Sequence, residues 1–382
     1  MAQRRMRILH VVGSMDPGGI EVWLLNVLKY IDRDLLEFHF CTFGSEPGLF
    51  ADEVERLGGR MLPCPRGKNP WSFARRFRKI LREGKYDAVH SHVTLFSGAV
   101  LRWAHAEGIS VRIAHSHTSQ DDKPDRVARY LYRRIMKSWI NRYATCGLGA
   151  SMPAAEDLFG GNWEEDKRFR VLHYGIDLRP FEEPILRDKV REELGIPLNV
   201  PVVGHVGRFI PAKNHVFLVE IAKEIQRRHP ETHFLFVGDG PLKRKIEARA
   251  QKLDFSAKIH FVGTRTDVPR LMLGGMDVFV FPSLWEGLPV TLIEAQAAGL
   301  RCIVSKTVAN EADILPEQIR LSLSTRCEVW AEKTIAALNC GRIESESAVS
   351  AVSRTDFCAQ RSTSFLSDLY EKAMRNHEHA TS

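Results

Sequence analysis

Residues 278–298, VFVFPSLWEGLPVTLIEAQAA, combine the features of a strand, a sharp turn and a helix in immediate succession. The apolar run Val278–Phe281 predicts a buried parallel strand. Gly287 permits a sharp backbone turn, and Pro289 suits the first position of a helix that continues through Ala298. This order of elements is typical of an α/β protein built on a parallel sheet.

The same turn has the chemistry of a phosphate-binding site. The amides of Val290, Thr291 and Leu292 are predicted to be unpaired at the positive end of the helix. Glu286 lies in the turn and Glu294 follows eight residues later, inside the helix. Because a carboxylate accepts paired hydrogen bonds from vicinal hydroxyls, Glu286 suits a sugar ring and Glu294 a ribose. The alternative is an ordinary strand-to-helix turn with one solvated and one partly buried glutamate.

The segment EGLPVTLIEA, residues 286–295, has seven residues between its two glutamates. It resembles the signature of the retaining GT-B glycosyltransferases of family 4, which includes bacterial exopolysaccharide transferases and mannosyltransferases. The likeness runs from Arg7 to about Tyr370. It implies an α/β GT-B fold, in which two Rossmann-like doubly wound domains face each other across a cleft and a C-terminal helix crosses back to the first domain.

Length and composition agree with two globular domains. At 382 residues, two domains of ordinary size are expected. The resemblance implies an acceptor-side domain at 1–180, a nucleotide-sugar-binding domain at 181–355, and a terminal helix at 356–382 that packs on the first domain. The apolar fraction of 44% and charged fraction of 26% are those of globular proteins, and no apolar run reaches membrane-spanning length. Seven cysteines without a Cys-x-x-Cys pair predict free thiols and a cytoplasmic location.

Short apolar runs alternate with helical periodicity along the whole chain. The strands predicted for the first domain are 7–12, 36–42, 61–64, 86–91, 110–114, 142–147 and 169–173. Those predicted for the second domain are 202–206, 233–237, 259–262, 278–281 and 302–305. The Ser-rich segment 341–355 is predicted to be a loop, and 357–374 a helix.

The excess of positive charge lies in the first domain. Residues 1–180 hold 28 Lys and Arg against 21 Asp and Glu, whereas the remainder holds 26 of each. Two basic amphipathic helices, 71–83 and 125–143, predict peripheral contact with an anionic membrane at the inner face of the plasma membrane. The alternative is two surface helices that each pack one face on the sheet. No nucleic-acid partner is expected, because no base-reading motif accompanies the charge.

Two His-Ser-His sequences end strands of the first domain. His90 and His92 close one, and His115 and His117 the other. Period-two spacing puts both histidines of a pair on one face, so the four residues are also candidate zinc ligands, although no carboxylate suited to a catalytic site lies nearby in the sequence. The resemblance implies instead that His117 lies beside the reacting sugar carbon and that His92 lines the acceptor side.

Further candidate residues follow the strands predicted at the carboxyl edges of the two sheets. Arg208 and Lys213 follow residues 202–206 and can neutralise a leaving diphosphate, a task that other transferases give to a divalent ion. Asn214 suits the N-cap of the next helix. The resemblance implies that Gly18 and Gly19 border the donor phosphate and the acceptor. It also implies donor contacts at Gly238, Gly263, Thr264, Arg265, Gly287, Leu288 and Pro289.

Together these features predict a hexosyltransferase with His117, Glu286, Arg208 and Lys213 as its catalytic residues. By resemblance the enzyme retains anomeric configuration and needs neither metal nor cofactor. Its donor is a nucleotide-diphosphate sugar, with a UDP-sugar favoured, and its acceptor is a hydroxyl of a glycan or lipid-linked molecule in exopolysaccharide or cell-envelope synthesis. The alternatives are a nucleotide-sugar epimerase, a metal hydrolase using the His-Ser-His pairs, and a non-enzymatic membrane adaptor.

Overall fold

The computed structural model describes residues 4–16, 18–46, 48–67, 69–117 and 127–381. The chain divides into two compact units, Met1–Gly175 with Asp356–Ser382, and Ile176–Thr355. It leaves the first unit after Gly175 and returns to it at Asp356.

The first unit contains a parallel sheet of seven strands in its described part. These are β1 (Met6–Val12), β2 (Leu36–Thr42), β3 (Arg60–Pro63), β4 (Ala88–Ser91), β5 (Val111–Ser116), β6 (Cys146–Gly149) and β7 (Phe169–Val171). They are ordered β3-β2-β1-β4-β5-β6-β7, with His10 of β1 opposite His90 of β4. The helices between them are α1 (Gly19–Tyr30), α2 (Ala51–Arg56), α3 (Pro70–Gly84), α4 (Ser97–Ala106), α5 (Val127–Tyr143) and α6 (Met152–Phe159).

The second unit repeats this plan with six described strands. These are β8 (Val202–Val206), β9 (His233–Val237), β10 (Ile259–Phe261), β11 (Val278–Phe281), β12 (Arg301–Ser305) and β13 (Ile319–Leu321), ordered β10-β9-β8-β11-β12-β13. Its helices are α7 (Arg179–Glu182), α8 (Arg187–Leu194), α9 (His215–Arg228), α10 (Lys243–Ala250), α11 (Val268–Gly275), α12 (Val290–Ala297), α13 (Cys327–Cys340) and α14 (Ser345–Ser353).

The terminal helix α15 (Ala359–Thr381) belongs to the first unit and packs against α1. Leu366 and Tyr370 are buried on its inner face. The predicted return of the C-terminal helix to the first domain is therefore confirmed.

The strand order fixes where a ligand fits each sheet. In the first unit the order reverses between β1 and β4, and in the second between β8 and β11. Loops that leave the carboxyl ends of two such strands turn to opposite faces of the sheet and open a crevice between them. The segments after these strands carry most of the predicted site residues.

The strand predicted at 142–147 exists, but its predicted start is wrong. Arg142 and Tyr143 end helix α5, and strand β6 begins only at Cys146. The helical spacing that buries Met136 and Ile140 continues into these residues and decides their conformation.

The predicted loop 341–355 is also wrong, because it contains α14. Ala348, Val349 and Val352 are buried at helical spacing while the serines occupy the other positions. Burial of this apolar stripe outweighs the modest helix propensity of serine.

Asn214 occupies the N-cap position of α9, but its side chain makes no capping hydrogen bond. Its backbone is left-handed, with φ +53°, whereas a side-chain N-cap normally has an extended backbone. The predicted cap is therefore wrong in its chemistry.

None of the helices in the described part of the chain combines the length and apolar character needed to cross a bilayer. All seven cysteines lie in that part, and each is a free thiol.

Candidate functional site

An ion pair joins the loops that follow β8 and β11. Lys213 Nζ lies 2.7 Å from Glu286 Oε1, with the two side chains 14% and 10% exposed. The ammonium also lies 4.8 Å from the ring centroid of Phe281, the last residue of β11. The fold thus brings Lys213 and Glu286 together where the strand order of the sheet reverses. Both residues were predicted to belong to one site.

Arg208 lies in the loop after β8 and is exposed. Within the described residues no carboxylate pairs with its guanidinium. The neighbouring backbone is fixed, because the Phe209 amide donates to the Asp239 carbonyl at 2.9 Å. An exposed guanidinium on an anchored loop remains available to an anion.

The start of α12 offers fewer amides than predicted. The Val290 amide donates to the Leu288 carbonyl at 3.0 Å, and the Leu292 amide donates to the Pro289 carbonyl at 2.9 Å. A tight first turn therefore uses two of the three predicted donors. Thr291 alone of the three has an amide without a backbone acceptor in the described chain, and its buried hydroxyl is also unpartnered there.

Glu294 lies one turn further along α12 and is half-buried. Burial raises the pKa of its carboxyl to about 7. Among the described residues no cation pairs with it. A carboxyl group that changes charge near neutral pH and has no protein partner is suited to hydroxyl ligands.

The glycine loops after β9 and β10 contact each other. The Gly238 amide donates to the Gly263 carbonyl at 2.8 Å, and both glycines have positive φ, +135° and +69°. A Cβ on Gly238 would collide with the Gly207 carbonyl, so the loop after β9 lies close to the loop after β8. This position requires glycine for space as well as for conformation.

The two residues after Gly263 differ in their surroundings. Thr264 is exposed, whereas Arg265 forms a two-pronged ion pair with Asp267, at 2.7 Å for each contact. Gly287 and Leu288 lie half-buried in the turn before α12, beside Glu286. A contact between Arg265 and the donor nucleotide would therefore compete with its ion pair to Asp267.

In the first unit, the histidines form a buried hydrogen-bonded cluster. One chain joins Tyr174 to His117, His117 Nε2 to His92 Nδ1 at 2.9 Å, and His92 Nε2 to His10 Nδ1 at 3.0 Å. A second chain runs from Tyr370 to His90 at 2.7 Å and from His90 Nε2 to His115 Nδ1 at 3.1 Å. We call these residues the histidine cluster: His10, His90, His92, His115 and His117.

His10 belongs to the cluster but was not predicted from the sequence. It stands alone in an apolar strand and carries no motif, and only the pairing of β1 with β4 places it beside His90. Burial lowers the pKa of His10 and His117 to about 3. Burial also holds the pKa of His90, His92 and His115 well below the ordinary value, with mutual repulsion as a further cause. The cluster is therefore neutral near pH 7.

The glycines at the start of α1 lie beside this cluster. A Cβ on Gly19 would lie 3.9 Å from the Tyr174 ring, and Tyr174 in turn contacts His117. Gly18 precedes the helix with an extended backbone. The fold thus brings Gly19, His92 and His117 to one edge of the first sheet, while Arg208, Lys213, Glu286 and Glu294 lie in the second unit.

Two overlapping groups in the histidine cluster have the spacing of metal ligands. One is His10, His90 and His92, and the other is His92, His115 and His117. Within each group, one ring nitrogen of every member lies within 4.8 Å of the others.

The two basic helices differ in what they expose. Helix α3 buries Phe73 and Phe77, leaving its arginines and Trp71 exposed. Helix α5 exposes an apolar stripe at helical spacing, Val127, Leu131 and Ile135, which are 80%, 52% and 46% exposed. Asp125 and Arg126, which the sequence also assigned to this helix, lie outside the described residues.

Comparison with known proteins identifies both halves of the chain. Residues 187–349 match the family model described as glycosyl transferases group 1, and residues 18–175 match the glycosyl transferase 4-like domain. A putative glycosyltransferase of Bacillus subtilis (strain 168), EpsF, is 34% identical over 97% of both chains. An Escherichia coli UDP-Gal:alpha-D-GlcNAc-diphosphoundecaprenol alpha-1,3-galactosyltransferase is 31% identical over 61% of each chain.

Solved structures share the fold. The chain superposes on Anabaena Alr3699/HepE, crystallised with UDP and glucose, with a TM-score of 0.78 and 19% identity, covering 96% of this chain and 100% of that one. It also resembles a sucrose-phosphate synthase of Thermosynechococcus elongatus, with a TM-score of 0.78, 19% identity, and 97% and 100% coverage. The predicted GT-B class, with two Rossmann-like domains, is confirmed.

Proposed function

We propose that this chain, which belongs to the GT-B glycosyltransferases of family 4, moves a hexose-type sugar from a UDP-sugar to a hydroxyl of a glycan or lipid-linked acceptor. The chain is a transferase of the exopolysaccharide type. Retention of anomeric configuration, independence from metal and the UDP donor are the parts we propose. Family membership favours this function over an epimerase, a metal hydrolase or an adaptor.

The observation that carries the proposal is the contact between Lys213 and Glu286 at the strand reversal of the second unit. The bond from the sugar to the diphosphate breaks with its electrons on the leaving oxygen, so negative charge grows there. The Lys213 ammonium, the exposed Arg208 guanidinium and the Thr291 amide are suited to receive that charge. Each charge-assisted hydrogen bond contributes roughly 1.5–3 kcal/mol.

Glu286 and Glu294 are assigned to the two rings of the donor. Glu286, held by Lys213, accepts hydrogen bonds from the transferred sugar, and Glu294 accepts them from the ribose. Neutral His117 of the first unit exchanges the bond between its Nε2 and His92 for a hydrogen bond with a sugar hydroxyl. In the retaining step, the departing phosphate oxygen takes the proton of the acceptor hydroxyl, whose oxygen bonds to the sugar carbon on the face that the phosphate leaves.

Two fixed cations make a divalent ion unnecessary at the diphosphate. In this proposal Arg208 and Lys213 neutralise the leaving group at all stages of the reaction. The reaction should therefore proceed in the presence of a chelator.

The proposed classes of donor and acceptor are supported by the name of one relative. The Escherichia coli protein is named for a UDP-galactose donor and a diphosphoundecaprenol-linked acceptor. A lipid-linked acceptor requires the enzyme to reach a membrane. The exposed apolar stripe of α5, flanked by exposed Arg134 and Arg142, suits peripheral contact with an anionic bilayer at its cytoplasmic face.

The test is a transfer assay with a panel of radiolabelled UDP- and GDP-hexoses, and with diphosphoundecaprenol-linked sugars as acceptors. We expect label to enter the lipid-linked fraction from one UDP-hexose, with or without EDTA, and NMR of the product to show the donor's anomeric configuration. Transfer only from GDP-hexoses, transfer abolished by EDTA, or an inverted product would each overturn the corresponding part of the proposal.

A further inference from the structure

The outer histidines of the cluster have nitrogens that converge. His92, His115 and His117 each place one ring nitrogen within 4.8 Å of the others. His92 and His115 are buried, whereas His117 is half-buried. An ion entering from the edge of the sheet would meet His117 first.

The existing hydrogen bonds indicate which nitrogen each ring has for an ion. His117 Nδ1 bonds to the Tyr174 hydroxyl, which leaves Nε2 facing His92 Nδ1 at 2.9 Å. His115 Nδ1 lies 3.1 Å from His90 Nε2, and its buried Nε2 has no partner among the described residues. The nitrogens available to one ion are therefore His92 Nδ1, His115 Nε2 and His117 Nε2.

We propose that these three nitrogens bind one divalent cation of the zinc type, with the fourth position open to water. Three imidazoles and an open position make a common tetrahedral zinc arrangement. The site goes beyond the proposed function, in which no metal takes part in transfer. An ion on His117 Nε2 would occupy the nitrogen that transfer gives to a sugar hydroxyl, so the metal-bound protein is not the transferring state.

The opposite ring nitrogens already have the partners that such ligands need. A metal-bound histidine usually holds its orientation by a hydrogen bond from its other nitrogen. Here those bonds go from His117 to Tyr174, from His92 to His10 at 3.0 Å, and from His115 to His90. Binding an ion would replace only the bond between His92 and His117, which lies within the site.

The inner group, His10, His90 and His92, is less suitable. His90 uses both nitrogens outside that group, one toward Tyr370 at 2.7 Å and one toward His115 at 3.1 Å. An ion there would break a bond that leaves a buried polar atom unpaired, which is costly.

The required rearrangement is small. Zinc–nitrogen bonds of about 2.0–2.1 Å in a tetrahedron set the nitrogens about 3.3 Å apart. The His92 and His117 nitrogens, now 2.9 Å apart, would separate slightly, and His115 would bring in a ring nitrogen from within 4.8 Å of them.

The test uses metal-stripped protein from which any affinity tag has been removed. Titration with Co²⁺, a spectroscopic substitute for Zn²⁺, should give visible absorption of a four-coordinate site that saturates at one equivalent, and Zn²⁺ should abolish it. His92→Gln and His115→Gln should each weaken Co²⁺ binding by about 100-fold or more. His105→Gln, at an exposed histidine of α4, is the matched control and should bind as wild type.

Tyr174→Phe removes only the hydroxyl that holds His117, and should weaken binding by about 10-fold. Circular dichroism and melting of each variant separate loss of the site from loss of the fold. The proposal is overturned if stripped wild-type protein takes up no Co²⁺, or if folded His115→Gln binds it as wild type does. Because these readouts are independent of sugar transfer, failure of the metal site leaves the proposed function standing, and failure of transfer leaves the metal site standing.

Discussion

Lys213 Nζ lies 2.7 Å from Glu286 Oε1, although 73 residues separate them in the chain. Both side chains are largely removed from solvent, and they follow adjacent strands at the point where the sheet order reverses. A mostly buried ion pair is seldom a net source of stability. Its position at the carboxyl edge of the sheet instead points to ligand binding.

Loss of the lysine should damage catalysis more than folding. In Lys213→Ala, the leaving diphosphate loses one fixed cation, so kcat/KM for transfer should fall by about 10²–10³-fold, comparable to the loss of one oxyanion donor. Steady-state kinetics with the best donor measures this. Lys252→Ala, at an exposed lysine of the same unit, is the control and should retain wild-type kinetics. A Lys213→Ala enzyme as active as the control would remove Lys213 from the mechanism.

The raised pKa of Glu294 predicts a pH-dependent stability. The folded state keeps the proton up to a pH of about 7, whereas the unfolded chain releases it near the ordinary value of 4.5. Stability from this group is therefore full below about pH 4.5 and is lost as pH rises through 7. Glu294→Gln should melt a few degrees above wild type at pH 8 and at nearly the same temperature at pH 4.5.

Nucleotide binding by the same residue should show the opposite dependence. The ionised carboxylate is the form that accepts both ribose hydroxyls, so wild-type affinity for UDP should rise as pH increases from 6 to 8. The increase of UDP affinity with pH should be smaller in Glu294→Gln. An equal increase in the two proteins would show that Glu294 does not bind the ribose.

Two glycines with positive φ should differ in their tolerance of alanine. In Gly238→Ala the new Cβ meets the Gly207 carbonyl, whereas in Gly263→Ala the nearest atom is Lys243 Nζ at 3.8 Å. We expect urea unfolding to show a loss of about 1–2 kcal/mol for Gly263→Ala from backbone strain alone, and clearly more for Gly238→Ala.

Gly161→Ala is the reference for this pair, since it has open space and an ordinary backbone, and it should change stability little. Equal losses at Gly238 and Gly263 would mean that the loop after β9 has room to move away from the loop after β8.

The exposed stripe of α5 should control membrane contact. Leu131→Ser with Ile135→Ser removes apolar area, and Arg134→Ala removes one charge, which is worth about 1 kcal/mol or about fivefold in binding. Sedimentation with anionic and with neutral phospholipid vesicles measures both effects. Arg228→Ala, on an exposed position of the second unit, should bind vesicles as wild type does. If the substitutions in α5 left vesicle binding unchanged, the membrane contact would lie elsewhere.

Much of the fold was predictable because its signals are local. The strand Val278–Phe281 and the helix after it were predicted correctly, since buried strands and prolines leave clear signals in the sequence. Pro289 was predicted at the first helical position but occupies the N-cap, and the tight turn there uses two of the three amides predicted to be unpaired. The helix α14 was missed because five of its nine residues are hydroxyl or acidic side chains, and only burial of Ala348, Val349 and Val352 explains it. Helix propensity along the sequence does not predict such packing.

The site was predictable to a smaller extent. Strand-end placement put Lys213 and Glu286 in one region, but their contact follows from the pairing of β8 with β11. His10 and Tyr174 carry no motif. The contact of His10 with His92 depends on the order of the strands in the sheet, and the contact of Tyr174 with His117 depends on the path of the chain after β7. The cleft between the domains, and with it any joint action of His117 and Glu286, stays a prediction.

In the proposed function, the second unit holds a nucleotide diphosphate between Arg208, Lys213 and the start of α12. The decisive measurement is calorimetric titration of UDP into wild type, Arg208→Ala, Glu294→Ala and the Lys252→Ala control. We expect UDP to bind wild type and the control, with affinity at least 10-fold weaker in Arg208→Ala and in Glu294→Ala. Unchanged UDP affinity in both site variants would contradict it.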